Sequence, residues 1–444
     1  MKLHLLLLIF ISLNFFAQIE RKADNTFFID SSFTNVCEGE FTWKYENGII
    51  GEKVYYVQGK VNGLYQLFNE DGTINYEANY INGELEGLST WYYENGKIHF
   101  KSFYKHGLLN GESIYYDEKG NIELREYYLN NQLHGKIESF YPNNSPKEII
   151  NYDHGKIEGK RIMYFNNGNL AKEVNYKNNL IEGKLLSYHK NGNLMNISNY
   201  INDELNGLCE WFDEDGRKTT ETNYIKGKIN GEFISYYRNS KKESSGQYQD
   251  GKKTGEWSFY DLNETLIEKR NFENDKQNGC TLKYFTTGNI KEKLNYVNGK
   301  LQGKSYKYYT NGDLWEVNTY LDNLKNDTTY KYFHNQKVYA IETYKRGVKN
   351  GESKWFHPNG KVMCQINYAN NLLQGEFTTY YRNGNTSSKG YFLNNVLHNN
   401  QFTFFKNKKI SYQAKYKNGI LLSDELFYNK KGKLIDISNP SCIE

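Results

Sequence analysis

A glycine recurs every 24 residues along most of this chain. Stepping from Gly39 lands on Gly63, Gly87, Gly111, Gly135, Gly159, Gly183, Gly207, Gly231, Gly255, Gly279, Gly303, Asp327, Gly351, Gly375, Asn399 and Ser423. Fourteen of these seventeen positions are Gly, and Asp and Asn are the side chains that best tolerate positive φ. No insertion or deletion breaks the step between residues 39 and 423. A register this strict is that of a repeat array, in which each unit is completed by stacking on its neighbours.

Aromatic residues keep the same beat. Five residues after the glycine comes a ring, as in Phe68, Tyr92, Tyr116, Phe140 and Tyr164, failing only at Lys44. Seventeen residues after it comes a second ring, Tyr at every repeat from Tyr56 to Tyr416 except Phe272 and Phe392. Turn signals fall between the rings. Asn-Gly or a relative ends nine residues after the repeat glycine (Asn47-Gly48, Asp71-Gly72, Asn167-Gly168), and offset twenty is always Gly, Asn or Asp. Such pairs supply the left-handed backbone of short hairpin loops. Two turns per 24 residues leave room for two strands and exclude helix.

Side-chain parity sharpens this into a register. The ring at offset five and the aliphatic at offset eleven (Tyr92 and Ile98) face each other if the loop holds three residues, Glu94-Asn95-Gly96, a type I turn with a Gly bulge. Tyr104 meets Leu109 only across a two-residue loop. Parity must then slip before the next ring, and Gly111 stands at that point as a bulge. The expected fold is all-β: an elongated antiparallel meander of about 17 stacked β-hairpins in a solenoid-like single sheet, on the order of 150 Å long at about 4.8 Å per strand. Where the repeat glycines fail, around Ser240, Glu264, Asp327, Gln336, Asn399 and Lys408, irregular turns or a bend are expected.

The ends differ from the array. Lys2 precedes an apolar run, Leu3 to Ala17, shorter than the roughly 20 residues of a membrane span and built like a secretory signal peptide. Residues 1–17 are therefore read as the signal peptide, with an uncleaved anchor as the alternative. Residues 18–38 read as an N-terminal cap, 39–434 as the array and 435–444 as a C-terminal tail. An exported protein in the periplasm, at the cell surface or secreted is the resulting expectation. Its five cysteines (Cys37, Cys209, Cys280, Cys364, Cys442) lie far apart in such an array, so intramolecular disulfides are not expected. The formal charge of +4, from 56 basic and 52 acidic residues spread along the chain, gives no footprint for nucleic acid.

The pattern Tyr-Tyr-x-Asn-Gly, a strand ending in Tyr, then Asn-Gly-Lys-x-x-Gly, clearest in residues 92–111 and 380–399, resembles the MORN repeat in its longer bacterial variant, as in the YwqK antitoxin-like repeat family. The resemblance implies a β-hairpin array acting as an interaction scaffold, linked in some members to membranes or lipids, and carries the label of an antitoxin-like component of a toxin–antitoxin system. Unlike multidomain members of that family, this chain is expected to carry no appended kinase, methyltransferase or other catalytic domain.

Chemistry has little to work with. His106 and His154 occupy the same turn slot two repeats apart, near 20 Å by strand spacing, too far for a shared metal. No nucleophile elbow, phosphate-cradling loop or Cys pair is present. The expectation is no enzyme, no catalytic or cofactor-binding residue, no metal and no cofactor. Glutamates at offset one (Glu112, Glu232, Glu256, Glu352, Glu376) alternate with lysines (Lys136, Lys160, Lys184, Lys304) and read as a charge ladder. The use expected of such a chain is a non-catalytic scaffold for a protein partner in the envelope or extracellular space. The alternative is a glycan- or lipid-binding surface. Trp91, Trp211 and Trp355 share offset four, on the face opposite the offset-five ring, and are the candidate partner-binding aromatics, with a second packed face as the favoured reading of that side.

Overall fold

The computed structural model describes residues 20–21, 27–28 and 36–435. The signal-peptide segment 1–17 and most of the terminal segments 18–38 and 435–444 lie outside the described residues. Among the described residues every regular element is a β-strand, and none is a helix able to cross a membrane, which says nothing of strands. Two compact units divide the array, one reaching Arg217 and including Ile225–Gly227, the other holding Lys218–Tyr224 and the chain from Lys228.

Within each unit, strands pair antiparallel with their neighbours in sequence, and the hairpin of Glu84–Tyr92, Ile98–Lys105 and Leu108–Tyr116 shows why. Tyr92 pairs with Ile98. The Tyr93 amide donates to Lys97 O at 2.8 Å and the Gly96 amide to Tyr93 O at 2.9 Å, enclosing Glu94-Asn95-Gly96 with Gly96 at φ 76°. This is the three-residue loop that parity requires. At the other end Tyr104 pairs with Leu109 around His106-Gly107, whose φ values of 49° and 74° make a two-residue turn with both centres left-handed. Pairing then jumps from Leu109 to Ser113, so Asn110-Gly111-Glu112 bulges against Phe103. Gly111 sits in that bulge at φ 125° and pairs onward with Tyr128.

The bulge has its own repair. Residues opposite it donate side-chain hydrogen bonds to the backbone that the ladder skips: Asn151 Nδ2 to Lys160 O at 2.9 Å, Asn271 Nδ2 to Cys280 O at 2.8 Å, and Thr343 Oγ1 to Glu352 O at 2.8 Å. An unpaired carbonyl in a half-buried sheet costs free energy, and a short amide or hydroxyl opposite it removes that cost.

The turns without glycine are not irregular, contrary to the expectation. Ser240, Glu264, Gln336 and Lys408 adopt φ of 64°, 68°, 62° and 70° and make the same amide bond three residues back that the glycines make. Neighbouring repeats impose the loop geometry, and the L-residue takes the strain.

Burial concentrates on one face, in a row of side chains running from strand to strand. In the first unit it passes through Tyr65–Ala78–Ser89–Ser102–Ser113–Glu126 and then Ile137–Ile150–Arg161–Val174–Leu185–Ser198. In the second unit it includes Trp257–Arg270–Thr281–Leu294 and Ser353–Ile366–Phe377–Gly390. Many members are small: Ala78, Ser89, Ser102 and Ser113 are nearly inaccessible, as are Thr281, Ser305 and Ser353. Cys37 and Cys209 are also fully buried, and the four described cysteines are free thiols.

Candidate interaction surfaces

Trp91, Trp211 and Trp355 lie in one column of the repeat, two residues along the strand from the buried row and on its face. In the first unit this second row is Leu67–Tyr76–Trp91–Phe100–Tyr115–Leu124. Its rings are layered: Tyr76 to Trp91 is 4.2 Å between centroids, Trp91 to Phe100 6.0 Å at 16°, and Phe100 to Tyr115 5.4 Å at 19°. Both faces of the Trp91 indole are therefore occupied by neighbouring rings. Trp211 pairs with Asn196 farther along the first unit. Trp355 pairs with Ala340 and Cys364 in the second, with Lys349 Nζ 5.7 Å from its ring centre. All three are half-buried.

The same row changes character in the second unit. From Glu268 it reads Glu268–Lys283–Glu292–Lys307–Glu316–Lys331, each residue opposite the next. Lys283 reaches Glu292 at 3.2 Å, and Lys325 reaches the nearly buried Glu316 at 3.0 Å. Glu342, also nearly buried, is held by Lys331 at 2.8 Å and Lys349 at 2.7 Å. Burial alone would raise the Glu342 carboxyl, but the two ammonium groups outweigh it and hold it below the usual carboxylate range. The offset-one charges form no ladder among themselves. Several pair across one strand boundary instead, Arg125 with Glu112 at 3.0 Å, Lys160 with Glu173 at 2.7 Å and Lys269 with Glu256 at 2.6 Å, while Lys136 and Glu352 pair within their own strands with Glu138 and Lys354.

The opposite face carries what the tryptophans do not, open apolar surface. Leu88 and Phe103 are directly paired and 48% and 45% exposed, and Tyr55 and Leu64 in the same two columns are equally open. Later in that unit these columns hold Lys136–Asn151, Lys160–Asn175 and Lys184–Asn199. The substitution of apolar for polar residues at fixed offsets was a readable signal in the sequence. Tyr92, on this face, donates to Glu77 at 2.6 Å; burial and that carboxylate push its hydroxyl up to about 12.

A second cluster joins His134, Asp153 and His154 at the two-residue turn edge of the first unit, one ligand-capable atom from each lying within 4.8 Å of the others. Comparing histidines that share a turn slot overlooked it. The relevant spacing is 20 residues, which links one repeat's last position to the next repeat's turn throughout the array, as between Glu86 and the His106 amide.

Nine segments match the MORN repeat variant: residues 61–82, 85–106, 133–154, 157–178, 181–202, 253–274, 277–298, 349–370 and 373–394. No curated protein matches. Solved structures that align include the Photorhabdus luminescens Tc holotoxin pore with the mutation TccC3-D651A, at 12% identity and TM-score 0.15, over 87% of this chain and 24% of that one. Another is the TcdB2-TccC3-Cdc42 structure, at 12% identity and TM-score 0.15, over 94% of this chain and 30% of that one. The chain thus spans 24% and 30% of the length of those two structures. The nine matches all start on one 24-residue step, the step of the hairpins themselves, and the chain belongs to the MORN-repeat proteins, a family of non-enzymatic binding and scaffolding repeats.

Proposed function

We propose that this protein is a non-catalytic scaffold that engages a protein partner in the cell envelope or extracellular space, through the outer face of its first repeats. One observation carries the reading: Tyr55, Leu64, Leu88 and Phe103 present exposed apolar surface in two columns that hold Lys136–Asn151, Lys160–Asn175 and Lys184–Asn199 later in the unit. Exposed apolar side chains gathered on one face of a sheet are characteristic of protein contact. The glycan- or lipid-binding alternative relied on tryptophans as stacking platforms, and the ring faces of Trp91 are spent on Tyr76 and Phe100. The export expected from Leu3–Ala17 places the partner outside the cytoplasm; N-terminal sequencing of the fractionated mature protein tests that part separately.

The test is site-specific photocrosslinking in the producing cells, with the probe at position 88, 103 or 160. A discrete protein adduct from 88 and 103 but not from 160 is the expected result. Equal labelling at all three positions, or binding of the purified chain to liposomes or a glycan array without a protein adduct, overturns it.

A further inference from the structure

We infer that His134, Asp153 and His154 form a site for a borderline divalent transition metal of the Zn²⁺ class, bridging two consecutive repeats. His134 is the last residue of the repeat that begins at Gly111, while Asp153 and His154 enter the turn of the next. The backbone brings them together. His154 occupies the left-handed first turn position at φ 45°, and the Gly155 amide donates to Leu133 O at 2.7 Å, fastening the turn beside His134. The His134 amide is itself held by Tyr127 O at 2.8 Å.

The side chains depart from the rule of the array. In the slot of His134, other repeats place Glu86, Glu158 or Glu182, whose carboxylates accept the amide hydrogen of the residue twenty positions on. Even His398 obeys, its Nδ1 accepting from the Asn418 amide at 3.2 Å. His134 does not. Its Nδ1 is shielded from solvent and makes no hydrogen bond, yet lies 3.2 Å from Asp153 Oδ1. His154 Nδ1 approaches the same oxygen at 2.6 Å, with the two imidazole centres 5.0 Å apart. Nitrogen and oxygen ligands about 2.0–2.2 Å from a tetrahedral ion stand roughly 3.3 Å from one another. The His134–Asp153 separation already meets that spacing, and the exposed His154 ring needs only a small outward rotation. Two imidazoles and one carboxylate suit Zn²⁺, Ni²⁺ or Cu²⁺, whereas Mg²⁺ and Ca²⁺ require more oxygen ligands. Held by residues of two consecutive repeats, the ion would clamp one hairpin to the next.

Titration of the full-length reduced chain with Zn²⁺ by calorimetry, and with Co²⁺ by visible absorption, tests this. One ion per chain is expected, with a tetrahedral Co²⁺ spectrum, a higher melting temperature in Zn²⁺ and no response to Mg²⁺. His134→Gln and His154→Asn introduce residues these slots carry elsewhere (Gln302, Asn82), so the fold is retained, and each should weaken Zn²⁺ binding at least about tenfold by removing a direct ligand. His106→Ala, in the same turn slot two repeats earlier, should leave binding unchanged. No binding in the wild type, or equal affinity in His134→Gln, His154→Asn and Asp153→Asn, overturns the site and leaves Asp153 as a simple ion-pair partner.

Discussion

Gly246 has no side chain because Trp257 occupies the place where one would be. A Cβ on Gly246 would come within 2.2 Å of the indole, which is 1% exposed and has Phe233, Tyr248 and Phe272 around it at 5.3–6.1 Å between ring centres. Unlike the repeat glycines, Gly246 does not have positive φ; it is a packing glycine. Gly390 stands in the same relation to Phe377, at 2.7 Å.

Gly246→Ala should therefore lower stability by roughly 1–3 kcal/mol through overpacking. Trp257→Ala should cost about 3–5 kcal/mol through the cavity it leaves. The decisive measurement is the double mutant in urea denaturation. Gly246→Ala should cost little once Trp257 is gone, and additive losses would show that the two do not share this space.

Gln336 carries a left-handed φ of 62° in a turn where most repeats use glycine. Strain of about 1–2 kcal/mol for an L-residue there exceeds the roughly 0.5–1 kcal/mol entropic cost of glycine. Gln336→Gly should raise the unfolding free energy measured in urea by up to about 1 kcal/mol, and Gly312→Gln should lower it by a similar amount. A destabilised Gln336→Gly would mean that its side chain makes a compensating contact.

Along the three-residue turns, side chains bond to backbone 23 residues on. Tyr93 Oη donates to Tyr116 O at 2.7 Å, and Asn95 Nδ2 to Glu118 O at 3.1 Å while its Oδ1 accepts the Lys97 amide at 3.0 Å. The pattern recurs at Tyr45, Tyr141, Tyr237, Tyr309 and Tyr381. Tyr93→Phe should cost about 0.5–1.5 kcal/mol and Asn95→Ala more, because it removes two bonds. Hydrogen exchange should quicken at residues 93–97 and 116–120 together, and an effect confined to one repeat would refute the stitch.

Glu342 and Glu52 should titrate on opposite sides of the ordinary glutamate value near 4.3. Lys331 and Lys349 overcome the burial of Glu342 and depress it, whereas burial of Glu52 exceeds the help of its Tyr65 hydrogen bond and raises it. Glu342 thus adds stability that is complete above about pH 4.3 and lost as pH falls through its lower folded value. Glu52 opposes folding when charged and is relieved as pH falls through its raised value. Carboxyl-carbon NMR should resolve the two, and Lys349→Met should move the Glu342 titration upward.

The hairpin register could be read from residue order because turns and strand parity are local. Asn95-Gly96 and His106-Gly107 fix loop lengths of three and two through their permitted φ values, and Tyr92–Ile98 and Tyr104–Leu109 then follow. The same locality explains the misjudged turns at Glu264 and Gln336. Local propensity argued against a regular loop there, and flanking repeats imposed one.

By itself, then, the sequence determined the period, the two turns, the bulge at the repeat glycine and the pairing partners, since all depend on residues within one 24-residue unit. The tertiary structure alone decided which face closes over the Ser89–Ser102–Ser113 row, what Trp91 touches, which lysines hold Glu342, and that His134 meets His154 rather than His106 meeting either. The contacts of Trp91 with Tyr76 and of His134 with Asp153 and His154 join strands of different repeats, whose approach is set by the stacking of hairpins. Lys331 and Lys349 share a repeat with Glu342, and there the burial of the carboxylate, which residue order alone does not state, decides the pairing.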